Sequence, residues 1–282
     1  MKHASILVLV GGAADSPDLE PILQSAAADQ THLSLLILET LQGPPVYGVG
    51  YYGMPVIAES WQKDLEAAKA TLQKASKTLE KRLVDAGAPG DVEILGCYPA
   101  DLPSIIGKRS ATCDAVVISN DLREQDYTFR NAIHGALFHS PVATILNAGS
   151  SSKALTPARV FVAWDTSLPA ARAVHAALPL LKAAEEVTIA VFDPVASKDQ
   201  DGENPGSDVA RWLSHHGCHV NLQQYPSGGQ EIGECIHKRS AETGADLVVM
   251  GAYGHSRMRQ TVFGGTTRSV VDQTDFAVLL AH

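Results

Sequence analysis

The chain has 282 residues, 45% of them hydrophobic and 19% charged, and a formal net charge of −9. That length suits two domains of ordinary size, and an acidic chain without a basic cluster argues against nucleic acid as a main partner. No apolar run approaches the ~18 residues needed to cross a bilayer, and Ile6–Val10 runs into Gly11-Gly12 as a first strand does, not as a signal peptide does, so a cytoplasmic protein without a membrane partner is expected.

In chain order, Ile6–Val10 reads as a strand, Leu19–Ala28 as a helix and Leu33–Leu38 as the next strand. Gln42–Pro55 is rich in glycine, proline and tyrosine and reads as a long loop, either lying against the next helix or serving as a lid or docking surface. A helix follows over about Glu59–Ala86, with Leu65, Leu72, Leu79 and Leu83 as its core stripe. Val92–Cys97, then Leu102–Arg109 and Ala115–Ser119, continue the alternation, with Val142–Leu146 as a last strand. Asn147–Lys153 is small and polar and reads as a linker. Beyond it the expected strands are Val160–Ala163, Val187–Phe192, His219–Gln224, Leu247–Met250 and Phe276–Leu280. Helices fall between them near Pro169–Ala184, Ser207–His216, Gln230–Thr243 and Thr266–Thr274. Strands alternating with helices imply a doubly wound parallel sheet, with ligands at the carboxyl ends of its strands.

The chain repeats itself. Tyr98-Pro99, Lys108-Arg109-Ser110-Ala111 and Asp114-Ala115-Val116-Val117-Ile118 recur as Tyr225-Pro226, Lys238-Arg239-Ser240-Ala241 and Asp246-Leu247-Val248-Val249-Met250. Self-similarity over so long a period signifies duplicated domains, not a solenoid. The expected division is 1–150 and 155–282.

The most specific motif follows Leu247-Val248-Val249-Met250. It places Gly251 and Gly254 in a turn, then His255, Arg257 and Arg259 in a spacer, then Gly264, Gly265, Thr266 and Thr267 at the start of a helix. Glycines let backbone N–H groups approach an anion, and a helix N-terminus supplies unpaired donors and a favourable dipole. The loop cations could help balance a triphosphate or could line a solvated face. This Gly-x2-Gly-x9-Gly pattern resembles the ATP-binding motif of the universal stress protein family, except that Gly265 stands where the family has Ser or Thr. The resemblance covers essentially the whole chain. It implies two tandem doubly wound domains, Rossmann-like and similar to adenine nucleotide alpha hydrolases, packed as a pseudo-dimer with their last strands meeting. It also implies that Asp165, after Ala163 at a strand end, contacts ribose, and that the backbone of Val191 recognises adenine. A helix N-cap supplied by Asp165, Thr166 or Ser167 is the other reading of that segment.

The first half has no glycines at the positions of Gly251 and Gly254, and Asp121, Glu124 and Asp126 would repel phosphate. It is expected not to bind ATP and to act as a structural or regulatory partner. Cys97, Cys113, Cys218 and Cys235 form no Cys-x-x-Cys pair and suggest reduced thiols. His215-His216-Gly217-Cys218-His219 reads more simply as a helix C-cap than as a metal cluster. Asp199–Gly206 lacks the spacing of a calcium loop.

Three functions stay open. The chain can be read as an ATP-binding stress-response module, with or without magnesium; as a slow metal-dependent ATPase, although the Gly-x4-Gly-Lys lysine loop is absent; or as a non-catalytic scaffold with a vestigial site. A protein partner or a homodimer is compatible with each.

Overall fold

The structure is a computed structural model and describes residues 3–12, 16–40, 46–49, 55–57, 59–151, 153–195, 204–253 and 265–282. The first half runs β1 (Ser5–Val10), α1 (Leu19–Asp29), β2 (His32–Thr40), β3 (Val46–Val49), β4 (Pro55–Ile57), α2 (Glu59–Ala86), β5 (Gly90–Cys97), α3 (Leu102–Ser110), β6 (Ala115–Ile118), α4 (Asp126–Phe138) and β7 (Ala143–Leu146). The second runs β8 (Arg159–Ala163), α5 (Leu168–Ala183), β9 (Glu186–Phe192), α6 (Ser207–His215), β10 (Val220–Tyr225), α7 (Ile232–Glu242), β11 (Leu247–Gly251), α8 (Gly265–Asp272) and β12 (Val278–Ala281).

Among the described residues, ten strands form one sheet in the order β10-β9-β8-β11-β12-β7-β6-β1-β2-β5. Read outward from the middle, each half repeats one order: last strand, fourth, first, second, third. All neighbours are parallel except β12 and β7, which pair antiparallel with Leu279 opposite Ile145. The two last strands therefore meet, as the resemblance implied. The inner strands are largely apolar because both faces are covered, whereas the edge strands β5 and β10 carry polar and half-exposed residues. Helices α1, α2, α5 and α6 share one buried cluster, and α3, α4, α7 and α8 share the other. Leu72, Leu79 and Leu83 are buried as the stripe on α2 predicts.

The sequence repeat serves the same purpose in both copies. The Asp114 carboxylate accepts from Ser5 N–H at 2.8 Å, and the Asp246 carboxylate accepts from Arg159 N–H at 3.0 Å, each closing the start of the neighbouring strand. Ser110 and Ser240 are both buried, each donating to a carbonyl three residues earlier.

Three features differ from expectation. Within Gln42–Pro55 and just beyond it, β3 and β4 pair antiparallel as a two-stranded ribbon. Helix α4 occupies a stretch to which the sequence pattern assigns no element above. Its Phe129, Ala132, Ile133, Ala136 and Leu137 form a buried helical stripe. The stretch read as a linker is packed: Asn147 and Ala148 are buried, and a Cβ on Gly149 would strike the Asp18 backbone. Asn147 is left-handed (φ 56°) and donates to the carbonyls of Gln273 (2.9 Å) and Phe276 (3.2 Å) while accepting from Arg123 (2.8 Å). Arg123 also reaches the Gln273 carbonyl (3.1 Å) and lies 4.5 Å from the Phe129 ring centroid. Residues on both sides of the central strand pair are thus tied by a part-buried polar cluster centred on Asn147.

All four cysteines are free. Gly217 is left-handed (φ 85°) just past α6, as a C-cap reading requires, and His216 Nδ1 lies 2.9 Å from the Trp212 carbonyl. Among the described residues no helix is long and apolar enough to cross a membrane.

Candidate functional site

Strands β8 and β11 are adjacent, with Ala163 beside Met250. Asp165 and Gly251 therefore leave neighbouring strand ends on the carboxyl edge of the sheet, where a doubly wound fold presents its ligands. Val191 follows Ala190, the register partner of Ala163 on β9. Asp165, Val191 and Gly251 are thus brought to one edge of the sheet by strand order alone.

Asp165 is exposed, and its Oδ1 accepts from Ser167 N–H (3.1 Å) and from the Ser167 hydroxyl (2.6 Å). Ser167, not Asp165, is the cap of α5: its Oγ accepts from Ala170 N–H at 3.2 Å. The carboxylate is held at the strand end by the cap residue, and Thr166 between them is left-handed (φ 59°). Val191 is buried, and its Cγ2 would lie 2.9 Å from a Cβ placed on Gly206. Its side chain is core, so only its backbone could face a base.

Gly251 has a packing reason to be glycine. A Cβ there would overlap Ala170 N and stand 2.7 Å from Pro169 C and 2.9 Å from Pro169 Cβ. Helix α5 starts directly against β11, and no side chain fits between them. Gly265 is the opposite case: it is exposed at the start of α8, with nothing among the described residues within 4 Å of where a Cβ would stand. Among the described residues the first turn of α8 is uncrowded there, as an anion site at a helix N-terminus needs. Thr266 is half-buried, whereas Thr267 is buried with its hydroxyl accepting from Tyr253 N–H at 3.2 Å. Thr267 therefore ties the origin of the loop to the first turn of α8. Gly254, His255, Arg257, Arg259 and Gly264 lie outside the described residues.

Sequence reading missed Tyr253. It is left-handed (φ 66°), and its phenol pKa is pushed up by burial. Its ring lies 4.8 Å from that of Phe138 and 5.9 Å from that of His282. Asp193, just past the end of β9, is also left-handed (φ 46°). Its carboxyl is held below the usual range by hydrogen bonds from Ser227, whose N–H lies at 2.8 Å.

A pocket of about 330 Å³ opens beside this region between α5 and α6, lined by Trp164, His175, Val209 and Trp212 among others. None of the described residues expected from the motif lines it. It sits on the face of the sheet opposite α8 and has an almost entirely apolar wall.

In the first half, the pairing of Leu9 with Ile118 matches that of Ala163 with Met250. By that register Gly11 stands where Asp165 does, Ser119 where Gly251 does, and Asp121 where Tyr253 does. The Asp121 carboxylate accepts from Gly11 N–H at 2.8 Å. Burial raises its pKa, with Ser119 and the Gly11 amide opposing the rise. Between β6 and α4 there is only a short 3₁₀ turn, Asn120–Glu124, in place of the long glycine loop.

The sequence model of the universal stress protein family matches residues 227–282. Over the whole chain the fold is similar to that of a universal stress protein from Archaeoglobus fulgidus DSM 4304, at 16% identity and a TM-score of 0.64, covering 99% of this chain and 96% of that one. It is also similar to a functionally unknown protein from Pseudomonas aeruginosa PAO1, at 15% identity and a TM-score of 0.53, covering 99% and 92% of the two chains. No curated protein matches the sequence. The universal stress protein likeness thus rests on sequence for the stretch from α7 to β12 and on fold for the rest.

Proposed function

We propose that the chain is a tandem universal stress protein with domains at 1–150 and 155–282, and that its second domain binds one adenine nucleotide, ATP with or without magnesium. The observation that carries this reading is the meeting of Asp165, Gly251 and the N-terminus of α8 at adjacent strand ends, within and beside the segment that matches the family. Asp165 would accept from ribose hydroxyls, the backbone of Val191 would meet the base, and the amides at Gly265 and Thr266 would meet the phosphates. His255 and Arg257 are proposed to add charge from the loop, with Gly254 and Gly264 shaping it. The first domain has a carboxylate seated on the amide of Gly11 and serves as a structural or regulatory partner. Free thiols fit a reducing cytoplasm.

The test is calorimetric titration of nucleotide-stripped protein with ATP and magnesium, beside a Gly265→Val variant. That variant introduces bulk at the phosphate position, where a Cβ meets none of the described residues within 4 Å. The expected result is one site per chain in the wild type, weakened about tenfold or more in the variant, the effect of losing one charge-assisted hydrogen bond. Two sites per chain would remove the claim about the first domain. No binding by folded wild type would overturn the nucleotide reading and favour a scaffold.

A further inference from the structure

The loop that would hold the phosphates does not rest on its own half alone. Its origin, Tyr253, has a left-handed backbone, which costs a side-chain-bearing residue about 1–2 kcal/mol and needs holding in place. One hold comes from within the half, the 3.2 Å hydrogen bond to Thr267. Another comes from across the central strand pair. Phe138, the last residue of α4, packs its ring 4.8 Å from Tyr253 and 4.6 Å from His282. His282 in turn has Nδ1 3.1 Å from the carbonyl of Ala252, and its own carbonyl accepts from Arg172 of α5 at 2.8 Å. The rings come from three separate segments: the first half, the loop origin, and the residue after β12. They enclose the backbone step Ala252–Tyr253, where the chain leaves the sheet.

We infer that Phe138 is a positioning residue for nucleotide binding: a side chain of the half without a cradle fixes the loop origin of the half that has one. The inference rests on the nucleotide reading above. Removing the ring would release Tyr253 from its backbone conformation, which the nucleotide would then have to restore. Affinity would fall by that ordering cost.

The experiment compares wild type with Phe138→Ala, Phe138→Tyr and Ile133→Ala. Ile133 is fully buried in the same helix, so its variant is a control for general loosening of α4. ATP affinity is measured by calorimetry, and hydrogen exchange of the Tyr253 amide is followed without nucleotide. Phe138→Ala is expected to bind ATP about fivefold more weakly, the equivalent of one lost aromatic pair, and to exchange the Tyr253 amide faster. Phe138→Tyr, which keeps the ring, is expected to restore both, and Ile133→Ala to change neither. Wild-type affinity in Phe138→Ala, or equal losses in Phe138→Ala and Ile133→Ala, would overturn the coupling while leaving the nucleotide reading intact. No binding by the wild type would overturn both.

Discussion

The glycines of the loop motif can be separated by a pair of alanine substitutions. In Gly251→Ala, the new methyl meets Ala170 N, Pro169 C and Pro169 Cβ, with the Pro169 atoms at 2.7 and 2.9 Å. These atoms belong to the backbone and to a ring, so none can swing aside. Relief requires moving the start of α5, where the Ser167 cap and Asp165 are bonded to one another. Overpacking of this kind costs about 1–3 kcal/mol. In Gly265→Ala, the methyl meets none of the described residues in the first turn of a helix. There alanine restricts the unfolded chain more than glycine does, and the expected change is between zero and a gain of roughly 0.5–1 kcal/mol. Urea denaturation followed by circular dichroism measures both. The predicted order is Gly265→Ala at or above wild type and Gly251→Ala below it by about 1–3 kcal/mol. The reverse order, or a Gly251→Ala variant as stable as wild type, would refute the claim that Gly251 is fixed by packing against α5.

Two other predictions concern the buried polar groups. The Asp121 carboxyl has its pKa raised in the folded state by burial. The fold thus holds its proton more tightly than the unfolded chain does, and stability falls as pH rises from the ordinary carboxylate range through the raised value. Asp121→Asn keeps an acceptor for Gly11 N–H and does not ionise; its stability curve should lose that decline, which denaturant melts across the acid-to-neutral range would reveal. A decline of the same size in the variant would count against the assignment. Asn147→Ala should be destabilising by about 2–4 kcal/mol, because it takes one donor from each of the Gln273 and Phe276 carbonyls and an acceptor from Arg123, and keeps a left-handed backbone without asparagine. Thermal melting would check it, and a loss under about 1 kcal/mol would show that the cluster is dispensable.

The alternation of strands and helices was legible because each buried parallel strand is a short apolar run bounded by polar turns, as in Leu247–Met250. The duplication was legible because Asp114 and Asp246 keep one structural task, bonding the amide that starts the neighbouring strand. Helix α4 carried a readable stripe from Phe129 to Leu137, but no side chain caps its start, which removes the usual signal for a boundary. The packing role of Gly251 could not be read, since a glycine kept for a ligand and one kept for a helix contact look alike in sequence. The grouping of Phe138, Tyr253 and His282 was equally hidden. It depends on which strands meet at the middle of the sheet, and no local pattern encodes that.

The two halves use one register to opposite electrostatic ends. In the second, the residue two past the first strand is an exposed carboxylate, Asp165, and the fourth strand ends in a glycine pressed against a helix start. In the first, the corresponding residues are Gly11 and Ser119, and the residue two further on, Asp121, places its own carboxylate on the Gly11 amide at 2.8 Å. A phosphate entering there would compete with an anion tethered to the same chain, whose local concentration is of millimolar order or more. It would also meet repulsion in a site of reduced dielectric. Replacing Asp121 would remove the competitor without supplying the loop, because β6 is joined to α4 by the short turn Asn120–Glu124. The expectation of one nucleotide per chain therefore has two independent causes in the first half, a filled anion seat and a missing cradle. Asp121→Asn on its own should leave the stoichiometry at one.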